Sequence, residues 1–417
     1  MIFLELLIKG GKQLSGEVEV AGAKNSVLPL LCASILSETP TRIKNVPDLS
    51  DVQNLIEILK SMNVKIDWNK SSKEVEIDAR DIKNIMVDFE LVRKLRASFL
   101  LVGALLGRFG EIKFPFPGGC NIGQRPVDLH LKAFETMGIE NKVERGYICF
   151  SGKLENATIF LDFPSVGATE NALLAAVATE GKTVILNGAN EPEIIDLIDY
   201  LNAMGVDINR DSSRGIIVNG GKRLTGTTYQ VMPDRIEAGT WLLLSAMTGN
   251  NITVKNANPD HLENLIEKLH ESGILVEGNP LRVAKNNPKD TITFQTGPYP
   301  SFPTDFQAQC TAMAMTMEGM HIVVETVFDN RFRHVAELNK MGADIRIFDK
   351  IAIIYGGKRL TGANVKATDL RGGMAVVMAG LVAEGETVVG DFGHILRGYE
   401  DLIPKLRKLG AEVELRK

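Results

Sequence analysis

The residue whose setting points most directly to chemistry is Cys120. It lies in Lys113-Phe114-Pro115-Phe116-Pro117-Gly118-Gly119-Cys120-Asn121-Ile122-Gly123-Gln124-Arg125-Pro126. Three prolines and three glycines exclude a helix there and mark a loop. Lys113 and Arg125 stand on either side in sequence, and a cationic setting lowers a thiol pKa. Cys120 therefore reads as a reactive thiol, fit to give up a proton or to act as a nucleophile. The other cysteines differ. Cys32 and Cys310 fall in apolar, helix-like runs and Cys149 in a β-like run, all readable as packing. The four show no CxxC spacing and the six histidines no HExxH pair, so neither a metal nor a redox pair is expected.

A second set of residues opens six apolar, helix-like segments: Lys24-Asn25, Arg93 and Arg96, Ser165-Val166-Gly167, Asp234-Arg235, Thr304-Asp305, and Asp369-Leu370-Arg371. Ser165, Thr304 and Asp369 are ordinary N-cap types, and Asp305 suits the dipole. Lys24, Arg235 and Arg371 have the wrong sign for a helix N-terminus. An anionic ligand would account for them, because helix starts also offer free N–H groups. With Arg96 added, the set suits phosphates.

The elements that position these residues repeat. Met62-Asn63-Val64, Met137-Gly138-Ile139, Met204-Gly205-Val206, Ser272-Gly273-Ile274, Met341-Gly342-Ala343 and Leu409-Gly410-Ala411 recur at steps of 75, 67, 68, 69 and 68 residues. Each follows an amphipathic run, and the Gly (or Asn63) reads as a left-handed helix C-cap. Six earlier helices, Asn25 to Leu36, Glu90 to Leu106, Ala168 to Ala178, Ile236 to Met247, Phe306 to Met317 and Gly372 to Val382, carry few charges and read as buried nearly all round. Gly10 to Gly16, Gly220 to Gly226 and Gly356 to Gly362 are near-copies that read as hairpin turns. The unit is thus strand, buried helix, strand, amphipathic helix, strand, strand. Six units fill the chain, three to a domain, with helices inside and sheets outside.

Bulk composition bounds the function. A chain of 417 residues is too long for one ordinary core. With 44% hydrophobic and 24% charged residues it reads as globular. A net charge of −5 argues against a general nucleic-acid binder. No apolar run approaches the roughly 18 residues of a spanning helix, and Met1 to Ile8 lacks a signal-peptide pattern, so a cytoplasmic protein off the membrane is expected.

Together the motifs resemble one family over the whole chain: the UDP-N-acetylglucosamine 1-carboxyvinyltransferases, the enolpyruvyl transferases that open bacterial peptidoglycan synthesis. The residues that carry the resemblance are Gly22-Ala23-Lys24-Asn25, Leu95-Arg96-Ala97-Ser98, Pro117 to Cys120, Gly123, Arg125-Pro126-Val127-Asp128-Leu129-His130, Ser165 to Thr169, Pro233 to Glu237, Phe302 to Asp305, Glu325 to Phe328, Asn330-Arg331-Phe332 and Asp369 to Arg371. The resemblance implies an inside-out α/β barrel of two similar domains, each of three βαβαββ-type repeats. Residues 21–230 would form one domain, and residues 1–20 with 231–417 the other, with the active site in the cleft between them.

It also implies residue roles. Cys120, Asp305 and Lys24 would be catalytic: Cys120 as general acid at the enolpyruvyl carbon, Asp305 taking the proton of the sugar hydroxyl or holding that hydroxyl. Lys24, Asn25, Arg125 and Arg397 would bind phosphoenolpyruvate. Arg96, Arg125, Pro126, Val127, Asp128, Leu129, Ser165, Val166, Gly167, Asp305 and Val327 would bind UDP-N-acetylglucosamine, with Arg331, Asp369 and Arg371 in support. No cofactor, metal, nucleic acid or membrane is implied. Two positions depart from some relatives: Phe163 stands where they carry a basic residue, and Asp329 where they carry Glu. The alternative of the same fold is 5-enolpyruvylshikimate-3-phosphate synthase; a non-catalytic repeat scaffold and a thiol hydrolase using Cys120 are the rivals of other classes.

Overall fold

The structure is a computed structural model, and it describes residues 4–83, 87, 89–116, 127–211, 215–249 and 251–416. The described residues fall into two compact units: residues 22–116 with 127–232, and residues 4–21 with 233–416. Each has its own apolar core. No helix among the described residues is long and apolar enough to cross a membrane.

Each unit holds three small sheets around buried helices. In the first unit the strand orders are Thr228–Gln230, Thr41–Lys44, Glu74–Asp78, Lys65–Asn69; then Ile112–Pro115, Tyr147–Gly152, Ile139–Glu144; then Asp207–Asp211, Gly215–Gly220, Gly181–Leu186, Thr158–Phe160. In the second they are Asn364–Lys366, Glu386–Gly390, Glu5–Lys9, Glu412–Arg416; then Ile274–Glu277, Leu281–Asn286, Asn251–Lys255, Ser15–Glu19; then Thr293–Gln295, Met320–Val324, Ile351–Tyr355, Asp344–Phe348. All five four-stranded sheets share one pattern, a parallel edge pair extended by two antiparallel strands. This is the inside-out α/β fold.

The inner helices earn their place by having no polar face. Lys24–Ser34 is buried from Ser26 to Ser34, Val166–Val177 from Ala168 to Val177, and Arg371 to Leu381 is buried without a break. Removing each Leu or Val side chain from water contributes about 1.5–3 kcal/mol, so these helices settle inside and the sheets cover them. The segment from Glu90 to Leu106 is not one helix. It breaks into Phe89–Lys94, a 3-10 turn Arg96–Leu100 and Leu101–Phe109. Leu95 is buried and extended at φ −135°, ψ 106°, and the Ser98 hydroxyl closes the new turn on the Leu95 carbonyl at 2.6 Å.

The outer helices end as their sequence markers require. Asn63, Gly138, Gly205, Gly273, Gly342 and Gly410 all have positive φ, from 68° to 107°. The paired bonds Asn63 N–H to Lys60 O and Val64 N–H to Leu59 O, repeated at Gly205 and Val206 and at Gly410 and Ala411, are the Schellman arrangement.

The glycine pairs are not hairpin turns. Gly10 to Gly16, Gly220 to Gly226 and Gly356 to Gly362 each leave one sheet and enter another. The second glycine of each pair, at φ 72–80°, donates its N–H to the C-terminal end of an inner helix: Gly11 to Leu381, Gly221 to Val177 and Gly357 to Met315. The first glycine passes so close that a Cβ on Gly10, Gly220 or Gly356 would lie 2.2, 2.2 or 1.9 Å from a carbonyl oxygen in the last turn of that helix or just past its end. Each pair therefore closes the end of a buried helix, satisfying a carbonyl that has no partner within the helix. Gly356→Ala should cost about 3 kcal/mol or more, since neither the helix end nor the strand can retreat. Gly410→Ala, at φ 96° with nothing within 4 Å of the added Cβ, should cost only about 1–2 kcal/mol; urea unfolding of the two variants checks the order.

Candidate active site

In the first unit, Lys24 is the first residue of its helix, and its N-cap Ala23 gives no side-chain cap. Its Nζ lies 3.4 Å from Oδ2 of Asp51, at the start of the outer helix Ser50–Ser61, and both side chains are largely buried. Asn25 is half-buried beside it. A second group forms around His130. Asn171 donates from Nδ2 to Nδ1 of His130 at 2.8 Å and to the Phe99 carbonyl at 3.0 Å, while its Oδ1 accepts from Gly103 N–H at 2.8 Å. The His130 ring packs edge-on to Phe99 and would lie 3.2 Å from a Cβ on Gly167. Burial and then the nearby Arg96 cation push the His130 pKa down to about 3, so this ring is neutral at pH 7. Ser165 caps the helix that begins at Val166, accepting from Ala168 N–H. Val127, Asp128 and Leu129 open the helix that carries His130. The structure thus gathers Arg96, the Val127 to His130 segment and the Ser165 to Gly167 helix start. Cys120, Arg125 and Pro126 lie outside the described residues.

In the second unit the centre is Asp305. Its Oδ1 accepts from Arg371 Nε at 3.0 Å and from Arg331 Nη2 at 3.3 Å. The two arginine side chains are 6% and 4% exposed, whereas the Asp305 side chain is 31% exposed and keeps a face open. Burial alone would raise the Asp305 pKa. The Arg371, Arg331 and Arg235 cations outweigh it and hold the carboxyl well below the ordinary carboxylate range. Asp369 caps the Arg371 helix through the N–H groups of Arg371 and Gly372, and Asp234 caps the Arg235 helix through Ile236 and Glu237. Beneath them a buried seam links Arg371, Tyr399, Thr240 and Gln309 by bonds of 3.1–3.4 Å. Glu237, buried, accepts from Lys405 at 2.6 Å, Trp241 Nε1 at 3.0 Å and Ala21 N–H at 2.9 Å. Val327 donates its N–H to Glu325. Arg397 ends the 3-10 turn Phe392–Arg397, half-buried.

Two readings change. Thr304 is not an N-cap: its hydroxyl donates to Glu325 Oε2 at 2.8 Å, and Pro303 holds the cap position. The basic helix starts do not stand without counter-charge, because Lys24 has Asp51, and Arg235 and Arg371 have Asp305. Asp51 and Asn171 escape sequence reasoning, and Glu325, legible only as part of a motif, carries no role there. Asp51 looks like any acid in a first helical turn, Asn171 lies inside an apolar run, and Glu325 gives no sign of its partners. Among the described residues no group of three His, Cys, Asp or Glu is placed to hold a metal ion.

Comparison with known proteins follows the same lines. A family model described as EPSP synthase (3-phosphoshikimate 1-carboxyvinyltransferase) matches residues 8–406. UDP-N-acetylglucosamine 1-carboxyvinyltransferase 1 of Clostridium acetobutylicum is 46% identical over 413 residues, covering 98% of this chain and 99% of that one. UDP-N-acetylglucosamine 1-carboxyvinyltransferase 2 of Caldanaerobacter subterraneus subsp. tengcongensis is 48% identical over 410 residues, with 97% and 98% covered. Among solved structures, the enolpyruvyl transferase NikO from Streptomyces tendae superposes with a TM-score of 0.90 at 23% identity, covering 99% of both chains. EPSP synthase from Acinetobacter baumannii gives 0.74 at 20% identity with both chains fully covered. At such identities these two speak for the fold alone.

Near Asp305 one buried group sets a pH dependence. His334 has no exposure and is packed beside the Arg331 backbone and the Asp369 carboxylate. Burial lowers its pKa to about 4, against the opposing pull of Asp369. The unfolded chain binds the proton near pH 6.5 and the folded one only near 4, so this contribution is complete above 6.5 and fades as pH falls through that window. The loss is roughly 3 kcal/mol at its limit. Thermal unfolding from pH 7 to 4.5 should show a falling Tm, and His334→Phe, which fills the space without titrating, should flatten that fall.

Proposed function

We propose, from the premise that this chain belongs to the UDP-N-acetylglucosamine 1-carboxyvinyltransferase family of carboxyvinyl transferases, that it transfers the enolpyruvyl group of phosphoenolpyruvate to the 3′-hydroxyl of UDP-N-acetylglucosamine and releases phosphate. The observation that carries the reading is near-half identity over almost the full length of relatives bearing that name. On this reading the protein works in the cytoplasm at the first committed step of peptidoglycan synthesis, and so supports cell-wall growth, cell shape and division. It needs no cofactor.

The family resemblance implies the roles, and the chemistry suits them. The sugar hydroxyl adds to C2 of phosphoenolpyruvate while C3 takes up a proton, giving a tetrahedral intermediate; C3 then loses a proton and the C2–O bond to phosphate breaks. Cys120 is the acid for C3, on the side away from the attacking hydroxyl. Lys24, Asn25, Arg125 and Arg397 hold the phosphate and carboxylate, where fixed cations count most. Lys24 brings a point charge, already aimed by Asp51, and the arginines bring bidentate forks. Arg96, Arg125, Pro126, Val127, Asp128, Leu129, Ser165, Val166, Gly167 and Val327 hold the sugar nucleotide. Arg331, Asp369 and Arg371 support Asp305.

Asp305 is the informative case. Three cations hold it ionised, so it accepts a hydrogen bond from the hydroxyl firmly but binds a proton weakly at rest. Its part is to orient the attacking oxygen, taking the proton only late, as the new C–O bond acidifies the hydroxyl. The first test is phosphate release from phosphoenolpyruvate, run with UDP-N-acetylglucosamine and separately with shikimate 3-phosphate, the acceptor suggested by the description of the matching family model. Release with the sugar nucleotide alone is expected; release with shikimate 3-phosphate alone would transfer the reading to that acceptor. Fosfomycin, an epoxide, should add once to the protein and stop turnover, and a Cys120→Ser protein should gain no mass.

A further inference from the structure

Glu325 follows the strand Met320–Val324 and is buried. Its carboxylate accepts four hydrogen bonds: Oε1 from the Thr296 hydroxyl at 2.9 Å, Val327 N–H at 2.8 Å and Phe328 N–H at 3.1 Å, and Oε2 from the Thr304 hydroxyl at 2.8 Å. Three separate segments supply these four donors, three of them to Oε1. Thr296 is itself tied to the same loop, accepting from Thr326 N–H at 2.9 Å and receiving the Thr326 hydroxyl on its carbonyl at 2.6 Å. Thr304 immediately precedes Asp305. The Phe328 ring lies 5.3 Å from the Arg331 guanidinium, and Arg331 donates to Asp305 at 3.3 Å. A closed circuit runs from Glu325 through Thr304, Asp305, Arg331 and Phe328 back to Glu325.

We infer that Glu325 is a positioning residue for the acceptor substrate: through this circuit it fixes Asp305 relative to Val327. The inference rests on the reading above in which Asp305 and Val327 face the sugar nucleotide. Removing the carboxylate strands two N–H groups and two hydroxyls in a buried place, and the loop must move to find other partners. The position of Asp305 and Val327 then slackens together. Lys24, which the same reading places on phosphoenolpyruvate, is no part of the circuit. A group that merely stabilised the fold would behave differently, lowering the active fraction without changing either KM.

The test is steady-state kinetics with each substrate varied in turn, on wild type, Glu325→Ala, Glu325→Gln and Thr304→Val, at a temperature where each is folded by circular dichroism. Glu325→Ala should raise KM for UDP-N-acetylglucosamine by about tenfold or more and leave KM for phosphoenolpyruvate within about twofold. Glu325→Gln should restore near wild-type values, because its amide oxygen keeps three of the four bonds and the Thr304 hydroxyl can accept from the amide nitrogen. Thr304→Val should give a smaller rise of the same kind, and it carries the test if Glu325→Ala does not fold. Equal rises in both KM values, a fall in kcat alone, or Ala and Gln behaving alike would overturn the inference. Wild-type protein that fails to turn over the sugar nucleotide would instead overturn the reading on which it rests.

Discussion

Six helices without a polar face have to be covered on every side, and most of the molecule follows from that constraint. A helix such as Leu370–Val382 offers water nothing along its length, so sister helices and sheets must enclose it. What cannot be enclosed is the helix end. At three of the C-terminal ends the glycine pairs close free carbonyls. At the N-terminal ends Lys24, Ser165, Asp234 with Arg235, and Asp369 with Arg371 stand as the polar openings of otherwise apolar rods. Polar side chains emerge from this core chiefly at such helix starts.

Charges at those openings are arranged in opposition. Around Asp305 the Arg371, Arg331 and Arg235 cations stand with two more carboxylates, Asp234 and Asp369, that cap the neighbouring helices, and Asp305 is the member that keeps an exposed face. Each buried cation thus has an acid close by, as the cost of burying an ion alone requires. Lys24 with Asp51 is a milder case: one cation, one anion, both largely buried. The neutral His130 and His334 show the complementary rule. Where a cation already sits close by, burial keeps the imidazole uncharged.

What the sequence disclosed was local. A left-handed position accepts Gly or Asn, so the six outer-helix markers could be read directly, and with them the repeat, the buried helices and the layering. The basic helix starts were legible for the same reason, a sign that contradicts the dipole. What stayed hidden needed partners far along the chain. Thr304 looked like a cap because Glu325 is 21 positions away. Gly10-Gly11 looked like a hairpin because nothing nearby reveals that its N–H groups go to Gly385 and Leu381. The break at Leu95 depends on core packing that no periodicity records. The polar residues that open the inner helices were therefore readable in their types, and their wiring was not.

The strand exchange between repeats has a consequence for the order in which the protein is made. Glu5–Lys9 pairs with Glu386–Gly390 and Glu412–Arg416, and Ser15–Glu19 with Asn251–Lys255. Thr228–Gln230, by contrast, closes the sheet of Thr41–Lys44. On a ribosome adding roughly 5–20 residues each second, the described residues of the first unit, with their own core, can finish folding while Glu5–Lys9 and Ser15–Glu19 still wait for partners not yet translated. The strand Glu5–Lys9 is made about 380 residues before Glu386–Gly390 and about 400 before Glu412–Arg416, so it stays unpaired longer than any of its neighbours, and its pairing registers that the far strands have been made.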